Sequence, residues 1–182
     1  MALLIQKVSS DFQNIDQLSK LNREAFPKEE RMEIHEMLLL IEKHKLEVSA
    51  IYDDDIFIGF YALHVRKPIA YIFFIAVDES KRSQGYGSQM IQAMTQQYHN
   101  FQIVLDMEAM DEHADNSQQR KKRKEFYLRN GFHETGYYLM FHQILMEIVC
   151  NKDELDVSGF QELLNKMEIR NTTFQIFHKK EI

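Results

Sequence analysis

Arg82-Ser83-Gln84-Gly85-Tyr86-Gly87 is the stretch of this chain best suited to hold a ligand. It follows the apolar run Ile69–Val77 and precedes Met90, Ile91, Met94 and Tyr98 at helical spacing. That pattern predicts a strand, a glycine turn and a helix. The first N–H groups of a helix have no intrahelical partner, and the helix dipole favours an anion there. Without Cβ atoms at Gly85 and Gly87, the anion can approach closely. The expected chemistry is binding of a phosphate or pyrophosphate.

Other phosphate loops fit less well. A Walker A loop needs Lys and then Ser or Thr after its second glycine, and Gly87 is followed by Ser88 and Gln89. A dinucleotide loop needs a third glycine where Met90 stands, although Asp106 lies where the ribose-binding acid would. The acidic stretch 109–116, AMDEHADN, has no metal-ligand spacing and reads as a solvated loop, so no metal is expected. Arg120 to Lys124 are five consecutive cations. On a helix they point all round. A solvated face is the first reading, and contact of one or two with a bound phosphate is the second.

The elements that position this loop follow from periodicity and turn residues. Leu3 to Val8 reads as a short strand, with Ser9 or Ser10 capping a helix through Phe12, Ile15, Leu18 and Leu21 that ends at Phe26-Pro27. A charged link, Lys28 to Arg31, leads to a second helix on Ile34, Met37, Leu38 and Ile41. Glu47–Tyr52, Ile56–Val65 and the run from Ile69 are strands joined by short polar turns, an antiparallel meander. His64 reads as a partly buried strand residue, or else as one that meets a substrate. Phe101–Glu108 alternates as a strand, parallel to the one before the crossover helix. Gln118–Asn130 is a helix with a Gly131 cap, and Thr135–Met140 and Ile144–Val149 are a hairpin around Phe141-His142. Ser158 is placed to cap a helix carrying Phe160, Leu163, Leu164 and Met167, and Thr173–Phe177 is a closing strand.

Composition sets bounds. The 182 residues are 45% hydrophobic, enough for one domain or one domain with an extension. A net charge of −6 gives no field favouring nucleic acid. The single cysteine, Cys150, allows no intrachain disulfide and suits a reducing interior. Ala2–Ile5 is too short for a signal-peptide core, and no run approaches a membrane span. The expectation is a cytoplasmic protein with neither membrane nor nucleic-acid partners.

The six residues from Arg82 to Gly87 fit R/Q-x-x-G-x-G/A directly after a strand, and about forty residues later comes Glu125-Phe126-Tyr127-Leu128-Arg129-Asn130-Gly131-Phe132. In this order and spacing the two stretches resemble the acetyl-CoA loop and the FYxxxGF helix of the GNAT superfamily of N-acetyltransferases. The resemblance covers roughly residues 1–150. It implies an α/β fold: a mixed, mostly antiparallel sheet, a central parallel pair splayed to hold acetyl-CoA, and helices on both faces. Residues 151–182 would be an extension packed on that domain or at a homodimer contact, since Phe160, Leu163, Leu164 and Phe177 offer apolar surface.

The implied function is transfer of the acetyl group of acetyl-CoA, as cosubstrate, to a primary amine on a small molecule or a protein. The resemblance places pantetheine on the backbone of Ile75, Ala76 and Val77, and pyrophosphate on Arg82, Ser83, Gln84, Gly85, Tyr86, Gly87 and Ser88. It gives Tyr127 the general-acid position. Where the family often has an Asn, seven residues before that tyrosine, this chain has Arg120, and Asn116 is the candidate substitute. The family fixes no base; Glu108, at the end of its strand, is the first candidate. The alternative is a non-catalytic acyl-CoA-binding module for sensing or interaction.

Overall fold

The computed structural model describes residues 3–28, 30–141, 143–167 and 174–181. Ala2, Glu29, His142 and Thr173 lie outside the described residues. The expectations for the opening apolar segment, the charged link, the hairpin turn and the closing strand therefore rest there on sequence alone.

The strands are β1 Leu4–Lys7, β2 Glu47–Asp53, β3 Ile56–Arg66, β4 Ile69–Val77, β5 Gln102–Glu108, β6 His133–Phe141, β7 Ile144–Cys150 and β8 Ile176–His178. The helices are α1 Ile15–Ala25, α2 Ile34–Glu42, α3 Tyr86–Gln97, α4 Ser117–Arg129 and α5 Val157–Lys166. The eight strands form one sheet in the order β1-β2-β3-β4-β5-β7-β6-β8. β4 and β5 are parallel. β1/β2, β2/β3, β5/β7, β6/β7 and β6/β8 are antiparallel. This is the mixed, mostly antiparallel sheet with one parallel pair that the sequence predicts.

Contacts group the chain into two compact units, Met1–Val65 with Ile72–Gln97 and Arg66–Tyr71 with Tyr98–Ile182. In the first, the apolar stripe of α1 (Leu18, Leu21) and of α2 (Met37, Leu40) packs with Val48, Ala50, Phe60, Ala62, Phe74 and Ala76 of β2, β3 and β4. α1 ends because Phe26 precedes Pro27 and is extended, at φ −128° and ψ 135°. Its start differs from expectation. Neither Ser9 nor Ser10 caps it; Ser9 donates to Asp11, and the helix begins at Ile15 behind Asn14. α2 starts with a capping box between Glu33 and Glu36.

Gly59 in β3 has a packing reason. A Cβ there would lie 2.1 Å from the Ala76 carbonyl oxygen and 3.1 Å from the Val77 Cα. Gly59→Ala should therefore force the backbone of β4 to shift, at a cost of about 2–3 kcal/mol. The denaturant midpoint measures it, and a variant as stable as the wild type contradicts the close approach.

In the second unit, β4 contributes Ile69, Ala70 and Tyr71, which pair with Gln102, Ile103 and Val104 of β5. β5 then pairs with β7 from Val104↔Cys150 to Glu108↔Met146. α5 is capped by Asp156, whose Oδ1 accepts from the Gly159 N–H at 2.9 Å, and not by Ser158. A cap must precede the helix, and Ser158 is already inside it. Phe160, Leu163 and Leu164 are buried within the chain, with the Phe160 ring edge-on to Tyr71 at 5.1 Å. These three side chains thus offer no surface to a second copy. Of the four residues named for packing on the domain or for a homodimer contact, these three are buried within the chain and Phe177 is half-buried.

Candidate functional site

In the first unit, β4 ends at Ile75, Ala76 and Val77, of which Ala76 is buried and its two neighbours are half-buried. A short 3-10 helix, Glu79–Lys81, follows, begun by Asp78, whose Oδ1 accepts from the Ser80 N–H at 2.9 Å. Arg82 folds back, its Nε donating to the Val77 carbonyl at 3.2 Å. Gln84 donates from Nε2 to the Ser80 carbonyl at 3.0 Å. Ser83 at φ 62° and Gly85 at φ 85° are both left-handed. That conformation is rare for a residue with a side chain, and a non-glycine residue held in it is often found at a functional site.

α3 begins at Tyr86, and Gln89 N–H bonds back to the Gly85 carbonyl at 3.1 Å. The N–H groups of Tyr86, Gly87 and Ser88 come before that bond and have no partner within the helix. No acidic side chain occupies this first turn. The Tyr86 hydroxyl donates to Asp53 Oδ2 at 2.7 Å, which ties the helix start to the end of β2. The loop is thus braced at both ends, and the N–H groups without an intrahelical partner lie at the helix start.

In the second unit, Tyr127 lies on α4, 7% exposed, with its ring edge-on to Phe126 and Phe132. Burial pushes its phenol up to about 12; the Arg123 guanidinium pulls it down and the Asp106 carboxylate pushes it up. Glu108, at the end of β5, is enclosed by donors. Its Oε1 pairs with Arg120 Nη2 at 3.0 Å and its Oε2 with Arg123 Nη1 at 3.2 Å. Asn116 Nδ2 donates to both oxygens, at 3.0 and 3.2 Å. Asn116 also accepts from Arg120 Nε, at 2.7 Å. Lys124 pairs with Glu147 and Glu134. Three of the five consecutive cations are therefore partnered by carboxylates, so the run is not simply a solvated face.

Two features had no place in the sequence reading. The first is the Tyr71 hydroxyl donating to Asp106 Oδ1 between the adjacent strands β4 and β5. Desolvation pushes Asp106 up to about 6, against the hydrogen bond from Tyr71. The second is that Asn116, Arg120, Arg123 and Tyr127 are spaced i, i+4, i+7, i+11, with Asn116 at the N-cap of α4 and the other three on one face of it. That spacing was present in the sequence and could have shown it.

His64 is buried, with Nδ1 facing the Lys45 carbonyl at 2.8 Å. Desolvation lowers it to about 4, so it is neutral at pH 7. The folded His64 pKa lies below its unfolded value, so its contribution to stability is lost as pH falls from about 6.5 to 4. Asp106 has the opposite sign. Its folded pKa lies above its unfolded value, so stability rises as pH falls from about 6 to 4. Each effect is on the order of 3 kcal/mol at most, and they offset one another. Asp106→Asn should leave the His64 slope exposed, with stability dropping more steeply below pH 6 than in the wild type. Denaturant midpoints from pH 4 to 7 measure this, and parallel curves would show that Asp106 titrates normally.

No helix among the described residues is long and apolar enough to cross a membrane. No group of three or more metal-ligating side chains occurs among them.

Comparison with known proteins bears on both units. A family model described as an acetyltransferase (GNAT) domain matches residues 44–134. A search of the curated proteins found no match. A structure assigned to the GNAT acetyltransferases of Bacteroides thetaiotaomicron is 26% identical, covering 87% of this chain and 92% of that one, with a TM-score of 0.72. An aminoglycoside 6'-N-acetyltransferase in complex with coenzyme A is 18% identical, covering 81% and 95%, with a TM-score of 0.64. A GNAT family acetyltransferase of Elizabethkingia anophelis with acetyl-CoA bound is 16% identical, covering 81% and 96%, with a TM-score of 0.56. At such identities the last two share the fold.

Proposed function

Because the chain belongs to the GNAT family of acetyltransferases, we propose that it moves the acetyl group of acetyl-CoA directly onto a primary amine. The observation that carries this reading is the loop 82–88, with left-handed Ser83 and Gly85 and a helix start free of acidic side chains. Left-handed turns of this kind make concave N–H nests for anions, and the helix dipole adds to the attraction. The pyrophosphate is assigned to the N–H groups of Ser83 to Ser88. The pantetheine arm is assigned to the backbone of Ile75, Ala76 and Val77.

In the proposed step the amine nitrogen bonds to the thioester carbonyl carbon, the C–S bond breaks, and the thiolate leaves. Tyr127 donates a hydrogen bond from its phenol to the departing sulfur, and solvent water completes the protonation of the thiolate. Its neighbours suit that role, since burial and Asp106 keep the phenol protonated at any working pH. The amine gives up one proton; solvent water takes it, although Glu108 is the sequence-based candidate to receive it. Against that role stand its two oxygens, both already accepting from Arg120, Arg123 and Asn116. Asn116 likewise spends its amide on Glu108 and Arg120, which argues for a helix anchor and against a ligand to pantetheine.

The test is turnover of acetyl-CoA against a panel of primary amines, including polyamines, amino acids, aminoglycosides and peptide amines, with free thiol measured. Amine-dependent thiol release is the expected result. Tight CoA binding with no thiol release for any amine would favour the acyl-CoA-sensing module.

A further inference from the structure

We propose that Glu108 anchors a charged clamp, formed with Arg120, Arg123 and Asn116, that fixes the start of α4 and holds the Arg123 guanidinium one turn before Tyr127. Glu108 then acts through Tyr127 and not on the acceptor amine. The proposal rests on the acetyl-transfer reading.

Four observations support it. First, the side chains of Arg120, Arg123 and Tyr127 line one face of α4, with Asn116 at its N-cap, so whatever holds Asn116, Arg120 and Arg123 sets the height and rotation of Tyr127. Second, Glu108 is the hub. Both oxygens are shared among two guanidinium groups and an amide, at 3.0 to 3.2 Å. Third, Arg120 also donates from Nη1 to the Ala109 carbonyl at 2.8 Å, which fastens α4 to the segment immediately after β5. Its side chain and that of Glu108 are only 15% and 17% exposed, so the pair is little screened by solvent. Fourth, the Arg123 guanidinium pulls the Tyr127 phenol down, opposing Asp106. Arg123 is itself 46% exposed, and among the described residues its ion-pair partner is Glu108. Without Glu108 it is free to turn into solvent, and the phenol becomes a poorer hydrogen-bond donor.

The arrangement also accounts for the departure at position 120. An arginine reaches farther than an asparagine and forms a planar, multidentate contact. Arg120 therefore closes the distance from α4 to Glu108, while Asn116 fills the remaining lone pairs.

The experiment compares Glu108→Gln, Arg120→Gln, Arg123→Gln, Arg123→Lys and the double variant Glu108→Gln/Arg120→Gln with wild type. Displacing a catalytic group by about 1 Å can cost ~10²-fold in rate, so Glu108→Gln should lower kcat by about 10- to 100-fold. KM for acetyl-CoA should stay within about threefold, since the loop of the first unit is untouched. The defect should be the same at pH 7 and pH 9. Arg120→Gln and Arg123→Gln should reproduce it, Arg123→Lys should restore most of the rate by keeping the charge, and the double variant should be no worse than its worse single. Hydrogen exchange gives a readout independent of substrate: amides 118–121 should exchange at least about tenfold faster in Glu108→Gln.

A Glu108→Gln defect that disappears at pH 9, with both arginine variants at the wild-type rate, overturns the proposal and makes Glu108 the base. Wild-type kcat and wild-type exchange in Glu108→Gln also overturn it, leaving ordinary surface ion pairs. If Glu108→Gln folds poorly, the half-exposed Arg123→Gln and Arg123→Lys pair tests the same claim. A wild-type chain that binds CoA but acetylates no amine defeats the enzymatic reading. The exchange rates still decide whether Glu108 anchors α4.

Discussion

Gly87→Val should abolish CoA binding in a chain that remains folded. Gly87 is the second residue of α3, where the backbone is helical and accepts any L-residue. Valine is a somewhat better helix former than glycine, by a few tenths of a kcal/mol, so the helical backbone at this position accepts it. What should change is the approach of an anion to the N–H groups of Tyr86, Gly87 and Ser88, which lack intrahelical partners and beside which a branched side chain adds bulk. Calorimetry with CoA should find affinity reduced by at least about 100-fold, and the denaturant midpoint should be nearly unchanged. Charge-assisted contacts of a pyrophosphate to several N–H groups, at about 1.5–3 kcal/mol each, account for a loss of that size. Gly85→Val is a less discriminating variant. At φ 85° any side chain is strained, and a Cβ there meets only Gln89 Nε2 at 3.9 Å. It should lose stability and binding together. If Gly87→Val binds CoA as the wild type does, the pyrophosphate does not sit on this helix, and the assignment of residues 83–88 fails with it.

How far the sequence could reach depended on whether the deciding partner was local. The helix of Met90, Ile91 and Met94 was readable because its burial follows its own period, and the three side chains are buried. Gly131 was readable as a cap because the left-handed position, at φ 85°, is a local demand. Gly59 was seen only as a glycine inside a strand. Its cause is the Ala76 carbonyl on another strand, which no local pattern reveals. The basic run misled for the same reason. Arg120, Arg123 and Lys124 look solvated when read as neighbours in sequence, yet their partners are Glu108 on β5, Glu147 on β7 and Glu134 on β6. Phe160 suggested a surface for a second copy, because its partner, Tyr71, sits far back in the chain. The site followed this division. The left-handed turn before α3, with its glycines, is a local motif and was legible. The surroundings of Tyr127 and Glu108 are built from separate elements and were not.

Tyr127→Phe should lower kcat by about 100-fold and leave acetyl-CoA affinity within about twofold. The ring keeps its contacts with Phe126 and Phe132, and only the hydroxyl is lost. General acids contribute roughly 10²–10⁴-fold, and two considerations place this one at the low end. A thiolate is a good leaving group, with an ordinary thiol pKa of about 8.5. The phenol is pushed up to about 12 by burial. Complete transfer of the proton is then uphill by about 3–4 pKa units, near 5 kcal/mol. The phenol therefore helps chiefly by a hydrogen bond to the sulfur as charge develops, and water completes the protonation. The same raised pKa fixes the pH behaviour. The acid form of Tyr127 persists well above pH 10, so kcat should show no alkaline decline from this group between pH 7 and 10. Rapid-mixing measurements of thiol release, before product dissociation, isolate the chemical step. A variant that releases thiol at the wild-type rate in that step would make the phenol structural. A wild-type enzyme whose chemical step fades near pH 9 would place the proton donor on another group.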